Sequence, residues 1–209
     1  HGQLIIRHDI DICLKKALEI SKIENQLGIN STFFIMLSNP LYNVFDKPNQ
    51  TIIHELIRNG HKVELHFDSV VYKDPFRGFT KEKQIFKAAF ESDVKIVSFH
   101  RPENKFLNNK ESFYGTAHTY QPNFFSEISY YSDSAGNFNY GDPLESDSFK
   151  NKQSMQLLIH PIWWAEAAST PLETLKKKMD DLTNDQKLYL SKNCKAYNLS
   201  KLSKDMPGS

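Results

Sequence analysis

Short apolar runs alternate with helix-patterned stretches along most of this chain, and that alternation narrows its folds more than any other feature. The runs at 4–6, 32–36, 62–65, 94–99 and 157–159 have the length and apolar character of strands buried on both faces. Residues 12–27, 51–58 and 81–90 carry apolar side chains at helical spacing, with Gly28 and Asn59-Gly60 as stops. This β-α-β-α order predicts an α/β fold, a mainly parallel sheet or barrel with outer helices. Residues 102–147, richer in Asn, Ser, Gly, Tyr and Phe, are expected to form loops over one face, with a short strand near 128–131. Residues 171–190 read as a charged helix outside the core. With no internal repeat and no linker, a single domain over 1–209 is expected.

The chemistry is expected where the strands end. Asp9 and Asp11 follow the first run, two residues apart, and His66, His100 and His160 close later ones. In α/β folds the working groups gather at the C-terminal ends of strands. Asp11 and His66 offer a carboxylate oxygen and an imidazole nitrogen, suitable donors for zinc or a similar divalent ion. A hydrolase also needs a base and an acid, and Asp9 and His160 suit those tasks. Arg101, beside His100, is placed to orient a carboxylate or bind an anionic group. A net charge of +1 gives no reason to expect a nucleic-acid partner, and no apolar stretch reaches the length of a membrane span. Cys13 and Cys194 are read as unpaired thiols, without zinc-finger spacing.

The motifs in their order resemble the polysaccharide deacetylase family, the NodB-homology domains of carbohydrate esterase family four. Arg7-His8-Asp9-Ile10-Asp11 resembles its paired-Asp first motif, and Gly28 to Phe34 its strand after the first helix. Asn59 to His66 resembles the segment leading to the metal histidine, and Phe99-His100-Arg101-Pro102 the Arg-Pro motif. Ser132-Asp133-Ser134 and Leu158-Ile159-His160-Pro161 resemble the last two motifs. The resemblance, from about Leu4 to Trp164, implies a distorted, incomplete (β/α) barrel and metal-dependent removal of an acyl group, usually N-acetyl from an amino sugar. It implies Asp9 as general base, Asp11 and His66 as metal ligands, and His160 as general acid. Arg101 would orient Asp9, and Asp133 would support the acid. The implied cofactor is one divalent ion, most readily Zn2+, with Co2+ or Ni2+ as alternatives; water activated by that ion is the nucleophile. The implied partner is an N-acetylated carbohydrate in a polysaccharide or glycan precursor.

Two departures from the family pattern stand out. Ile10 separates the two aspartates, and a spacing of two keeps Asp9 and Asp11 on one side of an extended strand. Val70 stands where a second metal histidine is expected, so His100 is the preferred third ligand and Asp68 its alternative. Among the other histidines, His61 reads as a structural hydrogen-bonding group and His54 as exposed. His8 reads as either a support for the site or a packed side chain, and His118 takes no assignment. Of the aromatics Tyr130, Tyr131, Phe138, Tyr140, Trp163 and Trp164, the tryptophan pair is the candidate sugar platform. The rival function is a non-catalytic carbohydrate-binding protein retaining the same fold. Without attached binding modules the reading favours the cytoplasm, and an extracytoplasmic location if a signal segment precedes residue 1.

Overall fold

The computed structural model describes residues 2–139, 141–164 and 170–197. The chain divides into two compact units, His1–Glu166 and Ala167–Ser209. The first contains β1 (Leu4–Ile10), α1 (Leu14–Gln26), β2 (Thr32–Ile35), α2 (Lys47–Arg58), β3 (Lys62–Phe67) and α3 (Pro75–Phe90). It continues with β4 (Ile96–Phe99), β5 (Ala117–His118), α4 (Pro122–Phe125), β6 (Ser129–Ser132), α5 (Asp147–Lys150) and β7 (Met155–Ile159). The second unit contains α6 (Pro171–Asn193), whose first turn is capped by the Thr170 hydroxyl accepting from the Glu173 N–H. No described helix is long and apolar enough to cross a membrane.

The seven strands form one sheet in the order β5-β4-β3-β2-β1-β7-β6, and every neighbouring pair is parallel. The sheet curls. Arg7 on β1 donates to Ser98 on β4, three positions away in the strand order. A flat sheet would hold those strands roughly 14 Å apart, beyond the reach of the two side chains. The edges β5 and β6 do not pair with each other, so the result is the incomplete α/β barrel expected from the sequence.

Strand alternation sorts the side chains by chemistry. The outer face presents Ile10, Phe33, Ile35, Leu65, Phe67, Val97 and Phe99 to the helices, where Leu14, Ala17, Ile53, Leu56, Phe79 and Phe86 complete a single apolar core. The inner face carries Arg7, Asp9, Glu64, His66, Ser98 and Gln156, all buried. The hydrophobic layer therefore lies between sheet and helices, and the lumen is polar. One polar cluster breaks the outer layer. There His8 Nε2 meets Glu24 Oε1 at 2.8 Å, Ser31 donates to Glu24 Oε2 at 2.7 Å, and His61 Nδ1 approaches the Ser31 hydroxyl at 3.1 Å. His61 Nε2 bonds the Ser21 carbonyl at 3.1 Å, the structural role expected of it, and His54 is exposed. His8 stacks on Phe33 with ring centroids 4.4 Å apart, so it packs outside the lumen.

Several boundaries differ from expectation. β1 continues through Ile10 instead of ending at Ile6, because its charged half finds partners inside the lumen. α2 begins at Lys47 instead of 51, and β4 at Ile96 instead of 94. α3 begins at Pro75, one and a half turns before residue 81, since the Asp74 side chain accepts from the Arg77 N–H and Pro75 takes the first turn. Gly78 in that helix has a steric reason: a Cβ there would lie 2.3 Å from the Tyr72 ring, which stacks on Phe67. Cys13 and Cys194 are free thiols, the first buried and the second exposed.

Candidate metal and acid–base site

Asp9, Asp11, His66, His100 and His160 all stand at or just beyond the C-terminal ends of β1, β3, β4 and β7. Past Ile10 the chain turns, and two side chains brace the turn. Tyr42 donates its hydroxyl to the Ile10 carbonyl at 2.7 Å, and Asn39 Nδ2 donates to the Asp11 carbonyl at 2.8 Å. Asp11 Oδ1 lies 3.0 Å from His66 Nε2 and 3.2 Å from His100 Nδ1, and its Oδ2 lies 3.5 Å from His160 Nε2. Asp11, His66 and His100 each offer one ligand atom, all within 4.8 Å of one another. Two donors about 2.1 Å from one ion at a tetrahedral angle would be ~3.4 Å apart. The Asp-His-His set fits a borderline divalent ion in both donor chemistry and spacing.

Asp68 does not join that cluster. It accepts from Arg101 through Nε at 3.3 Å and through Nη2, and from the Val70 N–H at 3.2 Å. Val70 is exposed in the short turn Ser69–Val71. The expectation that Arg101 orients Asp9 is corrected: Arg101 is spent on Asp68, and the guanidinium on Asp9 belongs to Arg7. Arg7 Nε donates to Asp9 Oδ1 at 2.9 Å and Nη2 to Oδ2 at 2.5 Å, while the Ser98 hydroxyl donates to Oδ2 at 2.9 Å. Arg7 Nη2 also reaches Tyr120 Oη at 3.1 Å, and the guanidinium carbon lies 4.9 Å from the Tyr120 ring centroid. Asp9 meets the Asp11–His66–His100 cluster beside His66, whose Nδ1 is 3.7 Å from Asp9 Oδ2 and 3.3 Å from the Ser98 carbonyl.

Asp133 is built around His160. Its Oδ1 lies 2.6 Å from His160 Nδ1, it accepts from the His160 backbone N–H at 2.9 Å, and its Oδ2 accepts from Trp164 Nε1 at 2.7 Å. The imidazole is thereby turned with Nε2 towards Asp11. The Trp164 ring is exposed, with the Phe138 ring 6.0 Å away, and Trp163 is half-buried. Tyr140 lies outside the described residues.

The charges follow from these contacts. Burial works to raise the Asp9 carboxyl, but the charge of Arg7, then His66 and the Arg7 hydrogen bonds, hold it below the usual range. Burial opposes ionisation of Asp11 too, and hydrogen bonds from His100 and His66 outweigh it decisively. The Asp11 hydrogen bond raises His100. Burial pulls His160 down, yet the Asp133 hydrogen bond and the charges of Asp9 and Asp11 lift it above an ordinary histidine. Sequence reasoning missed Arg7 as the partner of Asp9, although residues 7 and 9 share one face of β1. Ser98, Tyr120, Asn39 and Tyr42 carried no local signal.

Comparison of the sequence with family models and with curated proteins gives no match. Solved structures do match in three dimensions. A peptidoglycan deacetylase, PdaC from Bacillus subtilis, superposes with a TM-score of 0.52 at 12% identity, covering 91% of this chain and 94% of that one. A peptidoglycan N-acetylglucosamine deacetylase catalytic domain from Eubacterium rectale gives 0.46 at 13% identity, covering 87% and 84%. A CE4 family pseudoenzyme from Bacillus anthracis gives 0.49 at 12% identity, covering 88% and 61%. With its parallel curled sheet and its PdaC likeness, the chain has the fold of the carbohydrate esterase family four deacetylases, the NodB-type incomplete (β/α) barrel.

Proposed function

We propose that this chain is a metal-dependent carbohydrate deacetylase that hydrolyses an N-acetyl amide on an amino sugar of a polysaccharide or glycan precursor. The observation that carries the reading is one cluster at the C-terminal mouth of the barrel: Asp11, His66 and His100 converge, with the Asp133–His160 pair against them. Asp11, His66 and His100 would hold the ion, Zn2+ by donor type with Co2+ or Ni2+ as alternatives. When bound, such an ion polarises a carbonyl and makes water acidic enough to supply hydroxide near neutral pH. Each turnover forms a C–O bond, breaks the amide C–N bond, and passes a proton to the departing amine.

His160 is suited to give that proton. Its raised pKa favours the protonated ring, and Asp133 fixes Nδ1 so that Nε2 faces the cluster. Asp9 is read as the base. Arg7 keeps it ionised, the state a base needs, while Arg7 and Ser98 occupy both oxygens. To take a proton Asp9 must release one donor, and the neutral Ser98 hydroxyl on Oδ2 is released at lower cost than the guanidinium. The exposed Trp164 ring, anchored by its N–H on Asp133, offers a face on which a sugar ring can stack.

The test pairs metal content with acetate release from N-acetylated amino-sugar oligomers. Near-stoichiometric zinc that is lost in His66→Ala and His100→Ala, with turnover lost in all metal-free forms, is expected. Asp9→Asn should keep the metal and lose turnover; if it loses the metal as well, Asp9 is only a positioning residue for His66. The second reading, a carbohydrate-binding protein without catalysis, rests on Val70, which stands exposed where the family places a second metal histidine. Sugar affinity in a protein that neither holds metal nor releases acetate would establish it.

A further inference from the structure

The helix α6 carries a seven-residue apolar repeat whose seam lies largely open. Counted in heptads from Leu172, the a positions are Leu172, Met179 and Gln186, and the d positions are Leu175, Leu182 and Tyr189. Apolar residues at a and d mark a helix that packs along one seam against another helix. Leu172, Met179 and Tyr189 are each more than half exposed, and Leu190 beside Tyr189 is exposed as well. Leu175 and Leu182 are half-buried. Thr174, the buried residue of the helix, stands at a c position, away from the seam. An exposed apolar stripe along a charged helix calls for a cover.

The charges flanking the seam select what covers it. Between the a/d layers the g positions are Lys178 and Asp185, and the e positions are Lys176, Thr183 and Leu190. Neither Lys178 nor Asp185 has an ion-pair partner among the described residues. In a parallel pair of copies each g position meets the e position of the next heptad. Lys178 would then face Thr183 and Asp185 would face Leu190, and no ion pair would form. In an antiparallel pair a meets d and g meets g. Leu172 then faces Tyr189, Leu175 faces Gln186 and Met179 faces Leu182. Each Lys178 meets the partner's Asp185, twice over by the two-fold symmetry. The two helix dipoles also run in opposite directions, the favourable arrangement.

We propose that a second copy of this chain covers the stripe, in a two-fold symmetric dimer whose α6 helices lie antiparallel and cross the axis between Asp180 and Asp181. Met179 and Leu182 form its central layers, and the Lys178–Asp185 pairs fix its register. A seam of this length falls at the small end of specific interfaces, about 1,200 Å2, so the dimer is expected in the micromolar range. It uses no residue of the Asp–His site and stands independently of the deacetylase reading.

Sedimentation equilibrium of the full chain, from micromolar into millimolar concentrations, tests the association, and thermal unfolding shows that each variant is folded. Met179→Lys, in the central layers, should leave the chain monomeric. Lys178→Asp and Asp185→Lys should each weaken the dimer about tenfold, because both symmetry-related pairs give way to like charges. The double variant should regain the parental affinity. Cys194, exposed at the end of α6, takes a spin label, while Cys13 is buried. In the antiparallel dimer the two labels stand about 27 residues of helical rise apart, ~40 Å, whereas a parallel pair would hold them within about 20 Å. A chain that stays monomeric into the millimolar range overturns the proposal. So does a dimer that Met179→Lys leaves intact, a double variant no tighter than the single ones, or a label distance within about 20 Å.

Discussion

Replacing Arg7 with methionine keeps most of the side-chain volume and removes the guanidinium in direct contact with Asp9. The Asp9 carboxylate is 2% exposed and would keep only the Ser98 hydroxyl as a close donor, with His66 Nδ1 at 3.7 Å. Two limits bound the loss. If Asp9 stays charged, breaking a buried pair by removing one partner costs about 3–5 kcal/mol. If it takes a proton instead, holding neutral a group whose ordinary pKa is ~3.9 costs about 1.4 kcal/mol per pH unit, or about 4 kcal/mol at pH 7. The pH dependence gives the sharper test. In the parent, Asp9 titrates below its unfolded value, so it contributes stability above that value and loses it as pH falls through the folded one. In Arg7→Met the sign reverses: a raised carboxyl destabilises at neutral pH, and the penalty fades as pH falls towards the unfolded value. Urea unfolding should give a loss of about 4 kcal/mol at pH 7 that shrinks to ~1.5 kcal/mol at pH 5. The double variant Arg7→Met with Asp9→Leu should recover at least about 2 kcal/mol of it, because no orphan charge remains. A loss below about 1 kcal/mol, an equal loss at both pH values, or a double variant no better than the single would each refute the assignment of a buried ion pair.

Asp133→Asn should remove the contact that lifts His160, so the alkaline limb of the acetate-release profile should move to lower pH with metal content unchanged; an unmoved limb would separate Asp133 from the acid. Glu24→Gln should destabilise by about 1–3 kcal/mol, since His8 and Ser31 both rely on that carboxylate. Burial opposes Glu24 ionisation, but His8 and Ser31 outweigh it and lower its pKa, so the parent loses this stability as pH falls through the folded value. The Gln variant should show a flatter acid limb in its stability profile. Gly78→Ala should cost about 1–3 kcal/mol through collision with Tyr72, whereas an unchanged melting temperature would mean that the ring moves aside freely.

What could be read from sequence divides along physical lines. Apolar periodicity is local, so the strands and the first three crossover helices were recognisable, and so was the gathering of Asp and His at strand ends. The early start of α3 had a local signal too, in Asp74-Pro75, that the apolar pattern overrode. The partner of Asp9 was not legible in the same way. Arg7 and Arg101 are both chemically suited to a carboxylate, and only the curl of the sheet decides which one sits inside. That curl also brings Ser98 and Tyr120 to Arg7 across 91 and 113 residues of chain, pairings that no period encodes. The short strand β5 was hidden because its two residues sit in a loop-rich composition.

The division between a polar lumen and an apolar outer layer also bears on how faithfully the chain folds. A slip of β1 by one residue would exchange its two faces. His8 and Ile10 would enter the lumen, while Arg7 and Asp9 would be driven among Leu14, Phe33 and Ile35. The pair would move there as a unit, stripped of Ser98 and Tyr120, and its desolvation, several kcal/mol per ion, would rival the margin of about 5–15 kcal/mol by which a domain is stable. The misaligned state is therefore penalised by its own electrostatics, and the spacing that sets Arg7 and Asp9 on one face of β1 also acts as the proofreading signal for the central strand. Neutral replacements at positions 7 and 9 would keep the sheet pairing but erase that signal. Such a chain would become prone to frame errors in its central strand before it became unstable.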